Sequence, residues 1–164
     1  ATTGKEEYDL VDIKVEDLAS VLLKFENGAK GVFTAAQICA GHKNDLMVEV
    51  CGSTASMRWQ QEDQNNLWIG HRDEANQILM KDPGLVDAEV RPYVHMPGGH
   101  QEAWPDAFYN LMRDIYTFIA EGKKPTDAHP PAFATFEDGY RANAIVEAIL
   151  DSAKAGSVWT KVKY

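Results

Sequence analysis

The segment Pro97–Phe108, with the sequence PGGHQEAWPDAF, divides the chain into a part that predicts short strands and a part that predicts mostly helix. Its two glycines allow a sharp turn and a close approach of the backbone to a ligand. Pro105 favours the first turn of a helix, because its fixed φ and missing N–H cost nothing there. His100 and Trp104 add a titratable ring and a large amphipathic ring. We therefore expect a small-molecule site in this segment; the alternative is a connector whose Trp104 packs under the sheet.

Upstream of this segment, apolar runs separated by turn residues predict an antiparallel meander. The predicted strands are Tyr8–Val15, Leu18–Phe25, Lys30–Cys39, Leu46–Cys51, Ala55–Gln60, Leu67–His71 and Gln77–Lys81. Between the second and third of them, Asn27-Gly28 is a strong short signal for a hairpin. The residues Ala1–Glu7 are polar and are expected to be loose.

Downstream, apolar residues at helical spacing predict two helices, Trp104–Glu121 and Phe136–Ala155. Thr135 is a good N-cap for the second helix, and Asp138 completes an acidic variant of the capping box. A last strand is predicted at Ser157–Val162. The fold class is therefore α+β: a single domain over residues 1–164, with an open, mostly antiparallel sheet of about six to seven strands and two long helices packed on one face.

Several predicted strands carry apolar residues on both faces, most clearly Lys30–Cys39. The two helices can cover only one face of the sheet. Because a large exposed apolar face is unusual in a monomer, we expect a second subunit to cover the other face. A twofold homodimer is the commonest arrangement of this kind.

The composition restricts the function classes. The 164 residues carry a formal net charge of −9, which argues against a nucleic-acid or an anionic membrane partner. No apolar run approaches the length of a membrane helix, and no signal peptide is visible. The two cysteines, Cys39 and Cys51, lie in apolar strands and are predicted to be buried free thiols, typical of the cytoplasm. Because the chain begins with Ala1 rather than Met, we expect a fragment, a processed product or further residues upstream.

The motifs of well-known catalytic and nucleotide-binding sites are absent from the sequence: no GxGxxG, Walker loop, GxSxG or HExxH occurs. His95 and His100 lie five residues apart, but further metal ligands are not evident, so no metal site is predicted. His71 and His129 have the context of surface or loop residues. Gln37 stands inside an apolar strand, where a buried amide needs a partner from the protein or from a ligand.

Four segments taken in order resemble one family. They are Val15–Gly31, Gln37–Asn44 followed by Val48–Ser53, Pro97–Phe108, and Phe136–Arg141. Together they are similar to the C-terminal domain of the glucose–fructose oxidoreductase, inositol dehydrogenase and rhizopine-catabolism (Gfo/Idh/MocA) oxidoreductases. The resemblance extends from about Val15 to Val162.

The resemblance implies the substrate-binding and oligomerisation domain of a longer oxidoreductase that acts on a sugar, polyol or related carbonyl compound. In that family an N-terminal Rossmann domain binds NAD or NADP, and the sheet face of the C-terminal domain carries contacts to a dimer or tetramer partner. The family's catalytic Lys lies in a Glu-Lys-Pro motif, and a His, often with an Asp, follows on the first helix after the Rossmann domain. This chain matches neither motif, so no catalytic or cofactor-binding residue is assigned, and the chain alone is expected to be inactive.

The resemblance also implies residues of the substrate pocket. His100 matches a Gly-His segment near the sugar and is expected to contact a hydroxyl, while Trp104 would form an apolar platform. Gln37, His42 and the pair Lys43-Asn44 match strand-end positions near the active site. From the pattern alone, residues 40–45 also fit a plain polar turn. Two alternatives stay open: a stand-alone assembly or ligand-binding module of the same fold, and a metal-dependent enzyme that uses His95 and His100.

Overall fold

Residues 9–126 and 130–164 are described by a computed structural model of the chain. The strands and helices in this part are β1 (Leu18–Lys24), β2 (Lys30–Ala36), β3 (Met47–Cys51), β4 (Ala55–Gln60), β5 (Asn66–His71), β6 (Gln77–Met80), α1 (Trp104–Ala120) and α2 (Phe136–Lys154). Two short 3₁₀ helices occupy Gln61–Asp63 and Arg91–Tyr93. The chain divides into two units, one that ends at His42 and one that begins at Lys43. The two units are described separately below.

The first unit contains an antiparallel hairpin of β1 and β2, paired from Leu18↔Ala36 to Lys24↔Lys30. The turn uses the Asn-Gly pair as predicted: Gly28 has a φ of +91°, and the Asn27 side chain accepts a hydrogen bond of 3.0 Å from the amide of Ala29. Alternate residues of β1 are half-buried and exposed, so one face of the strand is partly covered and the other is open.

Strand formation is less extensive at both ends of the chain than the pattern predicts. Residues 9–15 form no strand, and Tyr8 lies outside the described residues, together with Ala1–Glu7. Residues 157–162 are not a strand either. The predictions at 9–15 and 157–162 were wrong. An alternating pattern shows which residues would share a face, but a strand also needs hydrogen bonds to a partner strand. None of the strand pairings in the described residues includes these segments.

The second unit contains a four-stranded antiparallel meander in the order β3-β4-β5-β6. Across β4 and β5, Arg58 is the register partner of Trp68, and its guanidinium carbon lies 5.2 Å from the centre of the indole ring. The Trp68 ring in turn lies directly over the buried Gly70, where a Cβ atom would collide with it. The α+β class, the antiparallel strands and the two long helices are confirmed, but the strands form a two-stranded and a four-stranded sheet.

Both helices begin with capping interactions, of which the one at α2 was predicted from the sequence. Asp106 accepts a hydrogen bond of 2.8 Å from the amide of Ala103 just before α1. At α2, the amide of Asp138 donates to the Thr135 hydroxyl at 3.3 Å, and the Asp138 carboxylate accepts from the amide of Thr135 at 2.7 Å. The bonds that the Asp138 carboxylate accepts from the amide and the hydroxyl of Thr135 lower the pKa of Asp138. Neither helix is long and apolar enough to cross a membrane.

Much of the apolar surface of the strands is uncovered. None of the hydrophobic side chains in residues 9–126 and 130–164 is fully buried, and Leu22, Val32 and Ile78 are each more than 65% exposed. Cys39 and Cys51 are free thiols, as predicted, but they are exposed, so the prediction of burial was wrong. The pattern identified apolar strands correctly, but it did not predict that these positions are exposed.

Thr135→Ala removes the hydroxyl that caps α2. We expect the free energy of unfolding to fall by about 1 kcal/mol, the usual contribution of such a cap. Urea denaturation followed by circular dichroism measures the change. Thr117→Ala is the matched control, because Thr117 is exposed within α1, and we expect a change within about 0.5 kcal/mol there. Equal losses in the two variants would contradict a specific role for the cap.

Candidate functional site

The loop between β6 and α1 is fastened by one well-covered ion pair, Lys81 with Glu102. The Lys81 ammonium lies 2.6 Å from a Glu102 carboxylate oxygen, and the two side chains are 13% and 10% exposed. The same ammonium donates to the carbonyl oxygens of Met96, at 3.1 Å, and His100, at 2.8 Å. The Lys81 ammonium, which has three hydrogens, therefore contacts three oxygens, and all three belong to the loop.

The second carboxylate oxygen of Glu102 faces back into the same loop. It accepts hydrogen bonds from the amides of His95, at 2.6 Å, and Met96, at 3.2 Å. Burial by itself raises the pKa of Glu102, but the bonds from Lys81 and these two amides outweigh it, so the net pKa lies below its ordinary value. Glu102 is therefore ionised at neutral pH.

Asn65 joins the loop to the sheet through a reciprocal pair of bonds with Glu102. The Glu102 amide donates to the Asn65 side chain at 3.0 Å, and the Asn65 side chain donates to the Glu102 carbonyl at 2.9 Å. Asn65 is 8% exposed and also donates to the Gln101 side chain at 2.7 Å. Its own carbonyl accepts from the amide of Lys81 at 2.8 Å. Asn65 and Lys81 thus hold the loop from adjacent ends of β5 and β6.

A further contact fixes the loop to α1. Asn110, which is 8% exposed, donates to the carbonyl of Tyr93 at 3.0 Å, and its side-chain oxygen lies 2.7 Å from a ring nitrogen of His95. The His95 ring also meets Tyr109 edge to face, with ring centres 5.4 Å apart. Through these contacts His95 holds the loop against α1.

A cavity of about 420 Å³ lies beside this network, at the start of α1. Its polar and aromatic lining includes Gln61, Gln64, Asn65, Lys81, Tyr93, Glu102, Trp104, Asp106 and Asn110. Trp104 is 68% exposed, and its ring stacks on Phe108 with centres 5.2 Å apart. An apolar ring beside amide and carboxylate groups can contact both the C–H faces and the hydroxyls of a small polar molecule.

Four of the predicted site residues lie around this region. Trp104 lines the cavity, and the Asn44 side chain donates to the cavity residue Gln61 at 2.9 Å. The His100 ring is exposed, with one nitrogen 3.4 Å from the carbonyl of Gly98. His100 lines a second cavity of about 60 Å³, which shares Asn65 and Lys81 with the larger one. Lys43 contributes its backbone amide, which donates to Glu62 at 3.3 Å.

Gln37 and His42 belong to the first unit. Gln37 follows β2 rather than lying within it, its side chain is exposed, and its amide donates to the carbonyl of Asp17 at 2.9 Å. The expectation of a buried amide at Gln37 was therefore wrong, because β2 ends at Ala36 and its residues from Val32 onward are themselves exposed. His71 is half-buried at the end of β5, and His129 lies outside the described residues.

The sequence analysis missed the residues that build the loop: Lys81, Glu102, Asn65 and Asn110. A signal existed only for Glu102, a charged residue between the glycines and the first helical turn. The others are common surface residue types, and only the fold reveals their burial. In residues 9–126 and 130–164, no group of three His, Cys, Asp or Glu side chains is placed to hold a metal ion.

The chain is similar to known oxidoreductases over nearly its whole length. Residues 2–163 match the family described as the oxidoreductase family, C-terminal alpha/beta domain. An uncharacterized oxidoreductase, YfiI, of Bacillus subtilis (strain 168) is 26% identical over 91% of this chain and 38% of its own length.

Solved structures give the same result. An oxidoreductase from Sinorhizobium meliloti is 27% identical, with a TM-score of 0.81 over 91% of this chain and 42% of that chain. An inositol dehydrogenase homolog from Azotobacter vinelandii, complexed with NADH and myo-inositol, is 25% identical, with a TM-score of 0.74 over 90% of this chain and 40% of that chain. The chain thus spans about two fifths of these relatives.

Glu102→Gln removes the carboxylate and leaves the Lys81 ammonium poorly compensated. We expect a loss of about 3–5 kcal/mol of unfolding free energy, as for a buried pair that loses one partner. Glu121→Gln is the matched control, because its partner Lys123 is half exposed, and we expect a loss of less than about 1 kcal/mol. Chemical denaturation at neutral pH compares the two, and similar small losses would contradict the importance of the ion pair.

The contribution of Glu102 also depends on pH. Because the folded state lowers its pKa below the ordinary value of 4.5, its stabilisation is present above that value and is lost as the pH falls through the lowered pKa. We therefore expect the difference in unfolding free energy between the wild type and Glu102→Gln to narrow progressively below pH 4.5. Denaturation curves over a pH series test this, and a constant difference would rule it out.

Proposed function

Since the chain belongs to the C-terminal alpha/beta domain family of the Gfo/Idh/MocA oxidoreductases, we propose that it is the substrate-binding and dimerisation domain of a longer NAD(P)-dependent oxidoreductase. The proposed substrate is a sugar, a polyol or a related carbonyl compound. The observation that carries the proposal is the family match over residues 2–163, supported by the similarity to an inositol dehydrogenase homolog that was solved with NADH and myo-inositol.

The cofactor would bind mainly to a different part of the longer protein. The 164 residues contain no glycine-rich dinucleotide fingerprint that could hold the pyrophosphate, so the residues present do not fit NAD or NADP. The cofactor supplies the hydride chemistry, and this chain would supply a surface that orients the hydroxyl-bearing carbon. Such positioning lowers the barrier because it replaces a chance encounter with a fixed geometry.

Within this chain, the substrate contacts that we propose are His100 and Trp104. The exposed His100 ring offers a nitrogen to a hydroxyl, and the exposed Trp104 ring offers an apolar face to the ring carbons of a sugar or polyol. Asn44 belongs to the same proposal through its bond to Gln61 in the cavity wall. The proposed substrate contacts also include Gln37, His42 and Lys43, and the support for these three is the family resemblance.

The proposed assembly is a homodimer or homotetramer in which the exposed strand faces meet. Its support is the apolar surface of β1, β2, β3 and β6, where no large side chain of the described residues is fully buried. A cytoplasmic location stays a prediction from the sequence. A stand-alone assembly or ligand-binding module of the same fold is the alternative, and the reading frame upstream of Ala1 distinguishes the two.

His100→Ala in the full-length protein should lower kcat/KM for the polyol about 10- to 100-fold, because a hydrogen bond to a substrate hydroxyl is lost. The assay follows NAD+ or NADP+ reduction, with myo-inositol as the first probe and a panel of sugars and polyols after it. His71→Ala is the control for a histidine outside the loop, and it should leave kcat/KM near the wild-type value. An unchanged kcat/KM in His100→Ala would remove His100 from the site.

A further inference from the structure

We propose that Lys81 is a positioning residue that sets the place of the His100 side chain through the His100 backbone, an inference that rests on the proposed function for its catalytic meaning. Although Lys81 lines both cavities, its ammonium is already engaged by groups of the protein. Its side chain is 13% exposed, and its ammonium is engaged by Glu102, by the Met96 carbonyl and by the His100 carbonyl.

The backbone around His100 needs an external support. Gly98 and Gly99 precede it, and Gly99 has a φ of +80°, a conformation that glycine adopts freely. The local bond in this turn runs from the His100 amide to the carbonyl of Pro97 at 3.1 Å. A turn with two glycines has many accessible conformations, so a bond from outside the turn selects one of them. The 2.8 Å bond from Lys81 to the His100 carbonyl is that bond.

The support is anchored at three points of the loop. Glu102 fixes the amides of His95 and Met96 at one end, and Asn65 fixes the backbone of Glu102 at the other. Lys81 lies between these ends and bonds to Met96, His100 and Glu102 together. Removal of Lys81 therefore releases the middle of the loop, whereas the bonds of Asn65 remain available to hold the start of α1.

The residue type at position 81 is restricted by this geometry. Two carbonyl oxygens and the ion-paired carboxylate oxygen of Glu102 converge on one small ammonium, which carries three hydrogens. An arginine keeps the charge next to Glu102, but its donors are spread over a planar fork and cannot converge on the same point. Lys81→Arg thus separates the two effects: it retains the ion pair but displaces the loop backbone.

The experiment uses the full-length protein with Lys81→Met, Lys81→Arg and the control Lys123→Met, which removes an exposed ion pair with Glu121. Amide hydrogen exchange is measured first. We expect exchange at the His100 amide to become about tenfold faster or more in Lys81→Met and in Lys81→Arg, with the amides of β4 and α2 unchanged in Lys81→Arg. Exchange at His100 that matches the wild type in both variants overturns the proposal.

A double-mutant cycle then tests whether Lys81 acts through His100. We expect Lys81→Arg to raise KM for the polyol about tenfold with little change in kcat. The same change in a His100→Ala background should add almost nothing, since coupled residues are not additive. Fully additive effects, or a wild-type KM in Lys81→Arg, would show a merely structural role and overturn the proposal.

The two proposals fail in distinguishable ways. A full-length wild type that reduces neither NAD+ nor NADP+ with any sugar or polyol refutes the proposed function, and hydrogen exchange at His100 still decides whether Lys81 positions the loop. Normal turnover in the wild type, together with unchanged exchange in the Lys81 variants, refutes the positioning role alone.

Discussion

The ion pair between Lys81 and Glu102 is the contact on which the candidate site depends. It joins the residue that follows β6 to the second residue before α1, and each partner also bonds to the backbone of the intervening loop. A covered charge pair is favourable only when its other donors and acceptors are also satisfied. Here the loop supplies them, so the loop conformation and the ion pair stabilise each other.

This arrangement explains how a segment with two glycines can present side chains in a defined place. The residues that would contact a ligand, His100 and Trp104, are exposed, while the residues that hold them, Asn65, Glu102 and Asn110, are nearly inaccessible. Exposed groups can exchange a water for a ligand, and buried polar groups gain strength from the lower local dielectric. The exposed residues would therefore contact the ligand, and the buried residues hold the loop in its conformation.

The sequence predicted most of the secondary structure because local signals determine it. Asn27-Gly28, the Thr135–Asp138 box and the helical spacing after Trp104 each act within a few residues, and the hairpin and both helices were found from them. The strands proposed at 9–15 and 157–162 failed because strand pairing depends on distant residues. The support of the loop was missed for the same reason: Lys81 and Asn65 are unremarkable until folding brings them to Glu102, 21 and 37 positions away.

The uncovered strands have a thermodynamic consequence. A chain with no fully buried hydrophobic side chain among its described residues gains little from its own interior. Any surface that binds the folded strands and not the unfolded chain adds to stability by mass action. For the proposed homodimer, the melting temperature would therefore rise with protein concentration, and dilution would lower the stability of the folded chain.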